Sequence, residues 1–165
     1  MHPASLTPVD LLAQTRESRT RRSGPGGQHR NKVETAVILV HLPTGISAEA
    51  SERRSLAENR RVALQRLRLR LALQHRSPAA YDGPSALWRS RLRGRLLAVA
   101  GDHDDYPTLI AEALDRLQAV GFDMSRAATT LLVSPTQLAG LFRKQRAAWT
   151  ALAALRARIG LPALK

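Results

Sequence analysis

Short apolar segments of different periods alternate with polar segments in the first half of the chain. Residues 8–14 have the spacing of a short helix, whereas residues 15–22 are polar and at most extended. Residues 35–40 are rich in β-branched side chains and predict a strand. Residues 46–50, beyond a turn that contains Gly45, predict a second strand. We therefore expect a β-hairpin in this half of the chain.

A long amphipathic helix is predicted after the hairpin. Ser55 and Glu58 have the spacing of a capping box, and the apolar pattern that follows continues to Leu73. The apolar residues lie in two stripes, so we expect one stripe to pack on the hairpin and the other to meet a further partner. Arg61 and Arg68 form a ridge between the stripes. On a lone helix such a ridge is typically a solvated face.

The second half of the chain has helical patterns throughout. Proline and glycine at residues 77–84 separate it from the first half. The expected helices span residues 85–100, 106–120, 125–132, 135–143 and 147–159. The sequence thus predicts an α+β fold, with a domain at residues 1–76, a linker at residues 77–84 and an all-α module at residues 85–165.

Two of the expected helices have the spacing of a helix-turn-helix motif. Its buried positions would be Ala128, Leu131, Val133, Leu138 and Leu141. Leu132 stands at the turn position that is often glycine, and two packed helices of a small bundle explain the same spacing. Trp88 and Trp149 are expected to anchor the core of this module rather than to stack on bases.

The charge of the chain indicates a polyanionic partner. Lys and Arg number 26 against 13 Asp and Glu, which gives a net charge of +13 and an isoelectric point near 11.7. All but three of the basic residues are arginine, whose planar guanidinium suits bidentate phosphate contacts. A positive field of this size attracts nucleic acid. It therefore favours RNA contact over a solvated face for Arg61 and Arg68.

Several classes of protein are excluded or disfavoured by composition. Cysteine is absent, which excludes disulfides, cysteine-bearing zinc sites and thiol catalysis. No apolar stretch approaches the roughly 18 residues of a membrane span, and the first residues lack the pattern of a secretory signal. Residues 102–105 have a metal-like composition, but they precede Pro107, so helix capping is favoured. We expect a cytoplasmic protein without a metal or other cofactor.

A glycine-rich loop is the sharpest local feature. Residues 23–29 contain three glycines and a proline, so the loop has little side-chain bulk and can bring backbone N–H groups close to a reacting centre. The phosphate-binding loop of nucleotide hydrolases is excluded because no Gly-Lys-Ser/Thr follows at the right spacing. A dinucleotide fingerprint is excluded because no hydrophobic strand precedes the glycines. The glycines alone are more typical of an ordinary surface loop.

The residues around this loop decide between these interpretations. Gly26-Gly27-Gln28 is followed by His29, Asn31, Lys32 and Glu34, then by His-Leu-Pro-Thr-Gly-Ile at residues 41–46, and then by Arg54-Ser55 and Asn59. These three motifs, in this order and at this spacing, closely resemble the catalytic domain of class I peptide chain release factors. The resemblance implies a small α+β domain. Its Gly-Gly-Gln tip would enter the peptidyl-transferase centre of the ribosome and promote hydrolysis of the peptidyl-tRNA ester.

Candidate site residues follow from the resemblance and from the charge. The resemblance implies a catalytic tip, which consists of Gly26, Gly27 and Gln28. It also implies flanking groups near rRNA or tRNA, which are Arg21, Arg22, His29, Arg30, Asn31 and Lys32. Basic residues on the helices are added as RNA-binding candidates by charge, namely Arg61, Arg68, Arg143, Lys144 and Arg146.

The sequence departs from the family pattern in two respects. Leu56 stands where the family usually has Gln after the Arg-Ser pair, which affects the start of the helix and not the tip. Neither Pro-Xaa-Thr nor Ser-Pro-Phe, the decoding tripeptides, is present. We therefore expect a codon-independent peptidyl-tRNA hydrolase that resembles the shortened ribosome-rescue factors. It would be a monomer when free, with the ribosome as its partner and no membrane partner. The alternative is a non-catalytic RNA- or DNA-binding protein on the same scaffold.

Overall fold

The computed structural model describes residues 1–20, 35–78 and 83–164. Contacts between residues divide the chain into two compact units, Pro3–His75 and Arg76–Lys165. Among the described residues, no helix has both the length and the hydropathy needed to cross a membrane.

The first unit is a three-stranded antiparallel sheet covered by one long helix. After a 3-10 turn at Pro3–Ser5, its elements are α1 (Pro8–Ala13), β1 (Thr15–Thr20), β2 (Ala36–His41), β3 (Ser47–Ala50) and α2 (Leu56–Gln74). The strands lie in the order β1-β2-β3, so β2 is central. The predicted hairpin is therefore β2 and β3, and the α+β fold is confirmed.

Strand β1 extends the sheet beyond the predicted hairpin. Its six residues pair with β2 from Thr15 opposite His41 to Thr20 opposite Ala36. The sequence predicted an extended polar segment here but no partner for it. Ladder hydrogen bonds use only the backbone, so a polar strand can pair fully along an edge without apolar side chains.

Helix α2 packs on β2 and β3 through its small and branched apolar residues. Ser55 begins it as predicted, because its Oγ accepts a hydrogen bond from the Glu58 N–H at 3.4 Å. The buried apolar residues of the helix and the sheet are Ala63, Leu67, Leu71, Ala72, Ala36, Val37, Leu39, Ala48 and Ala50. One apolar stripe of the helix thus forms the core of the unit.

Two arginines of α2 cover the open edge of the sheet. Arg66 Nη1 donates to the Glu49 carbonyl at 2.8 Å, and Arg70 Nη1 donates to the Ser47 carbonyl at 2.7 Å. Both carbonyls belong to β3, which is an edge strand of the sheet within the described part of the chain. The guanidinium groups therefore occupy acceptors through which another chain could otherwise add a strand.

The second unit is mostly helical. Its elements are α3 (Ala86–Ser90), β4 (Leu92–Arg93), β5 (Leu96–Leu97), α4 (Tyr106–Ala119), α5 (Met124–Thr130), α6 (Pro135–Arg143) and α7 (Arg146–Arg158). The prediction of one helix over residues 85–100 is wrong beyond Ser90. A short antiparallel hairpin follows, because Gly94 adopts a φ of +60° and reverses the chain within two residues.

Two buried aromatic residues fix the helices of this unit. Trp88 Nε1 donates to the Leu131 carbonyl at 2.8 Å, and the Tyr106 hydroxyl donates to the Leu141 carbonyl at 3.0 Å. Both carbonyls lie at the ends of helices, where acceptors have no partner within the helix. The prediction of core anchors is confirmed for Trp88, whose side chain is fully buried, whereas Trp149 is only half-buried.

Helices α5 and α6 have the predicted arrangement of apolar residues. All five expected positions are buried: Ala128, Leu131, Val133, Leu138 and Leu141. Leu132 takes a φ of +60° and is exposed, so it fills the left-handed turn position where glycine is usual. Ser134 Oγ then accepts from the Gln137 N–H at 3.1 Å and begins α6. The spacing therefore reflects a tight turn between two packed helices.

Candidate catalytic domain and nucleic-acid interface

The structure shows the frame that holds the Gly-Gly-Gln segment. The predicted tip and its flanking RNA contacts lie outside the described residues: Arg21, Arg22, Gly26, Gly27, Gln28, His29, Arg30, Asn31 and Lys32. The chain leaves the sheet after Thr20 and returns at Ala36, and these two residues are direct partners in the ladder. Both ends of the segment are therefore fixed at the same end of the β1–β2 pair.

A buried asparagine clamps the returning end of that segment. Asn59 is fully buried in α2, and its Nδ2 donates to the Thr35 carbonyl at 2.6 Å and to the Arg53 carbonyl at 2.9 Å. Its Oδ1 accepts from the Arg53 N–H at 2.9 Å. One side chain thus joins the residue before β2, the turn before α2 and the helix itself. Because asparagine is a poor helix former, a buried one in a helix signals bonds of this kind.

A second cluster lies beside the departing end. Glu17 on β1 accepts from Arg60 Nε at 2.7 Å and from Arg19 Nε at 3.3 Å. An open groove of about 730 Å³ runs along these residues, and Leu56 and Ala57 complete its wall. Leu56 is the residue that departs from the family pattern, so the departure makes this wall apolar. Two guanidinium groups share one carboxylate here, so the described residues that line the groove carry a net positive charge.

His41 serves the fold rather than a reaction. Its buried ring lies between Thr44 Oγ1, 2.8 Å from Nδ1, and Gln14 Oε1, 3.3 Å from Nε2. Burial, together with the nearby His75, lowers the pKa of His41 below its ordinary value of 6.5. The ring is therefore neutral near pH 7, with one nitrogen donating and the other accepting. The His-Leu-Pro-Thr-Gly motif thus joins the β2–β3 turn to the start of β1.

The predicted basic residues of α2 differ in their surroundings. Arg61 is exposed. Arg68 is half-buried, and its Nε and Nη2 donate to the Ala4 carbonyl at 3.4 and 3.3 Å. The structure thus gives Arg68 a role in holding the N-terminal turn. RNA binding by both residues stays a prediction.

The predicted cluster at the end of α6 is also engaged in part. The Arg143 guanidinium lies 4.8 Å from the centre of the Trp149 ring, and Lys144 Nζ donates to the Val99 carbonyl. Arg146 begins α7 and is exposed. The three residues are neighbours in sequence, but two of them already have partners within the unit. Their RNA binding stays a prediction.

The acidic loop before α4, residues 102–105, was expected to cap the helix. Asp105 stands at the N-cap position of α4, but its side chain makes no capping hydrogen bond. It binds Arg91 instead, with Arg91 Nε at 2.9 Å, while His103 Nδ1 accepts from the Asp105 N–H at 3.0 Å. The expectation that residues 102–105 cap the helix is therefore confirmed for the position of Asp105 but not for its side chain, because its carboxylate pairs with Arg91 at the base of the hairpin.

The first unit matches a known family. Residues 10–87 match the family model of the RF-1 domain. This part of the chain is similar to class I peptide chain release factors. The match includes Gly26-Gly27-Gln28, Asn59 and the groove beside Glu17, so the frame described above is that of a release-factor domain.

Relatives of known name share this domain. Peptide chain release factor 1 of Delftia acidovorans is 49% identical over 101 residues, which cover 61% of this chain and 25% of that protein. The mouse protein named peptide chain release factor 1-like, mitochondrial, is 46% identical over 70 residues, which cover 42% of this chain and 18% of that protein. The chain thus spans between 18% and 25% of the length of these release factors.

Proposed function

We propose that this protein hydrolyses the ester bond of peptidyl-tRNA on the ribosome, with Gly26, Gly27 and Gln28 as its catalytic tip. One observation carries the proposal: the Gly-Gly-Gln tripeptide lies inside the part of the chain that matches the release-factor domain. The frame supports it as well. The paired residues Thr20 and Ala36 and the Asn59 clamp fix both ends of the segment in a packed unit.

The chemistry that suits this tip relies on the backbone. Water is the nucleophile, and the small tip excludes bulk solvent around it. The Gln28 N–H stabilises the negative charge that develops on the oxyanion or on the ribose leaving group in the transition state. The Gln28 side chain shapes the cavity and selects water. The ribosomal RNA supplies the remaining groups, because the tripeptide itself contains no general base.

We propose further that release does not depend on a stop codon. Neither decoding tripeptide occurs in the 165 residues, and the release-factor domain is followed by a basic unit that is mostly helical. Such a unit suits binding to RNA through charge rather than the reading of three bases. The helix-turn-helix-like pair α5 and α6 supports a nucleic-acid contact for this unit.

The binding partner follows from the charge. A net charge of +13 favours ribosomal RNA and peptidyl-tRNA as the contacts of both units. Association should weaken with salt, since each phosphate contact contributes a slope of about −0.7 to −0.9 in log K against log salt. Ribosome affinity that is constant between low and moderate salt would argue against these contacts.

Release from defined ribosome complexes tests the function. Complexes with a labelled peptidyl-tRNA in the P site carry a stop codon, a sense codon or no codon in the A site. We expect similar release rates in all three, well above the spontaneous rate measured without protein. A large preference for the stop codon would contradict codon independence alone. Ribosome binding with release at the spontaneous rate would reject the hydrolase and favour the non-catalytic binding protein.

A further inference from the structure

The short hairpin of the second unit carries an unusual concentration of arginine. Arginines occupy positions 89, 91, 93 and 95, and no acidic residue occurs in residues 89–97. Arg91 pairs with Asp105. Arg89, Arg93 and Arg95 are exposed, and within the described part of the chain none of them forms an ion pair with a carboxylate. The hairpin thus presents three guanidinium groups that have no carboxylate partner among the described residues.

The base of the hairpin is rigid. The Arg91–Asp105 pair ties it to the loop before α4, and the Ala98 N–H donates to the Arg91 carbonyl at 2.9 Å. Leu97 and Val99 are buried below it. Gly94 at the first central position of the two-residue turn has a φ of +60°, as a type II′ turn requires. The tip is therefore held in one geometry before any ligand arrives, which lowers the entropic cost of binding.

The two arginines at the tip have donors available for a ligand. Arg93 Nη1 donates to the Ser90 carbonyl at 3.2 Å and to the Leu92 carbonyl at 2.9 Å, so its guanidinium is held over the end of α3. Its Nε and Nη2 have no acceptor among the described residues. Arg95 has no described partner at all. Leu96 is half exposed beside them and offers a small apolar surface.

We propose that this hairpin, residues 89–97, is an RNA-binding site that contacts phosphates through Arg93 and Arg95. The proposal rests on the proposed function, because that function brings the chain to ribosomal RNA. A guanidinium with two free donors fits a phosphate in bidentate geometry. The exposed face of Leu96 fits a sugar or base edge. A membrane surface is the weaker partner, because one exposed leucine offers little of the apolar area that interfacial binding uses.

Charge-matched variants of the full chain test the site. Arg93→Gln/Arg95→Gln removes two charges from the hairpin, and Arg16→Gln/Arg158→Gln removes two exposed charges from β1 and α7. Binding to purified ribosomes with an empty A site is measured across a range of salt. We expect roughly a tenfold loss of affinity for the hairpin variant and a salt slope smaller by about one to two. The control variant should lose less than threefold.

Two further variants keep the result interpretable. Arg95→Gln alone removes no hydrogen bond that the structure shows, so this variant should fold like the wild type. We expect a severalfold loss of affinity, which would then report on the lost contact with the ligand. Arg93→Lys/Arg95→Lys keeps the charge but loses the bidentate fork, and it should fall between the wild type and the double Gln variant. An equal loss in the hairpin and control variants, or no loss in either, would overturn the site.

Further measurements distinguish a failure of this site from a failure of the proposed function, and RNA from a membrane as the ligand. Release measured at saturating protein should be unchanged in the hairpin variant, since the hairpin is outside the release-factor tip. Wild-type protein that binds through the hairpin but releases no peptide would contradict the hydrolase and leave the site standing. Hairpin-dependent binding to phosphatidylserine vesicles, with ribosome affinity unaffected, would overturn RNA as the ligand.

Discussion

Replacing Asn59 by Ala should impair both the stability of the release-factor domain and its catalytic rate. The substitution removes the acceptor for the Arg53 N–H and the donors to the Thr35 and Arg53 carbonyls. Thr35 directly precedes β2, so the change frees the point at which the Gly-Gly-Gln segment returns to the sheet. We therefore expect a positioning role for Asn59, which acts through Thr35 and does not touch the substrate.

The magnitude follows from the three hydrogen bonds. Each contributes about 0.5–1.5 kcal/mol net, and Arg53 is exposed, so water replaces part of what its backbone loses. Alanine also regains about 0.5 kcal/mol of helix propensity relative to asparagine. The free energy of unfolding of the first unit should fall by roughly 1.5–3 kcal/mol. Displacement of the tip by about 1 Å can lower the release rate on the order of 100-fold.

The assay needs a probe of the first unit alone. Both tryptophans belong to the second unit, so intrinsic fluorescence would report on the wrong part of the chain. Hydrogen exchange of the β2 amides gives the local opening free energy, and single-turnover release at saturating protein gives the rate. Gln74→Ala is the matched control, because it also removes an amide from α2 but at an exposed position at the end of the helix.

The outcomes distinguish the possible roles of Asn59. Faster β2 exchange with a release rate reduced tenfold or more, while ribosome affinity stays near wild type, supports the positioning role. Faster exchange with an unchanged release rate would reduce Asn59 to a stabilising residue. If Asn59→Ala exchanges its β2 amides and releases peptide at the wild-type rates, the clamp is refuted.

Two further predictions concern stability. Because burial lowers the pKa of His41, the unfolded chain binds a proton at this residue before the folded chain does as pH falls below 6.5. The opening free energy of the first unit, from exchange of the β2 amides, should therefore fall between pH 7 and pH 5.5 by at most about 1.4 kcal/mol per pH unit, the slope for one proton. His41→Gln should flatten this dependence, and equal slopes in the two proteins would contradict the neutral ring. A Cβ at Gly101 would stand 2.9 Å from the Lys144 carbonyl oxygen, whereas one at Gly140 in α6 meets nothing within 4 Å. Tryptophan fluorescence in urea should therefore show Gly101→Ala destabilised by about 1–3 kcal/mol and Gly140→Ala stabilised by about 0.5–1 kcal/mol. An unchanged stability of Gly101→Ala would contradict the steric argument, because the loop would then have moved to make room for the methyl group.

The helices were largely predictable because their ends carry local signals. Ser55 and Ser134 each accept the capping hydrogen bond that their spacing predicts, and α6 spans the predicted residues. Strand β1 and the 92–97 hairpin were not predictable in the same way. A polar strand has no apolar alternation to reveal its pairing, and the leucines of the hairpin also fit a helical spacing. The positive φ of Gly94, which reverses the chain here, is visible only in the structure.

The candidate site was predictable as a set of residues but not as a set of contacts. The Gly-Gly-Gln motif and Asn59 are visible in the sequence, whereas the bond from Asn59 to Thr35 joins residues 24 positions apart. Likewise, Arg68 and Lys144 were predicted to bind RNA because of their charge, but in the folded protein each donates a hydrogen bond to a backbone carbonyl. Sequence spacing indicates which faces residues occupy, and only the packed structure shows which polar groups are already satisfied.

Single-turnover release with two variants of Gln28 tests the catalytic proposal most directly. Gln28→Ala keeps the backbone N–H, whereas Gln28→Pro removes it and fixes φ. On saturating ribosome complexes with an empty A site, we expect Gln28→Ala to retain partial activity. Gln28→Pro should be slower than the wild type by on the order of 10²–10³, the effect of losing one oxyanion donor. Both variants should bind with wild-type affinity. Equal rates for the two variants would contradict the backbone mechanism, and wild-type release no faster than the spontaneous rate would contradict the hydrolase itself.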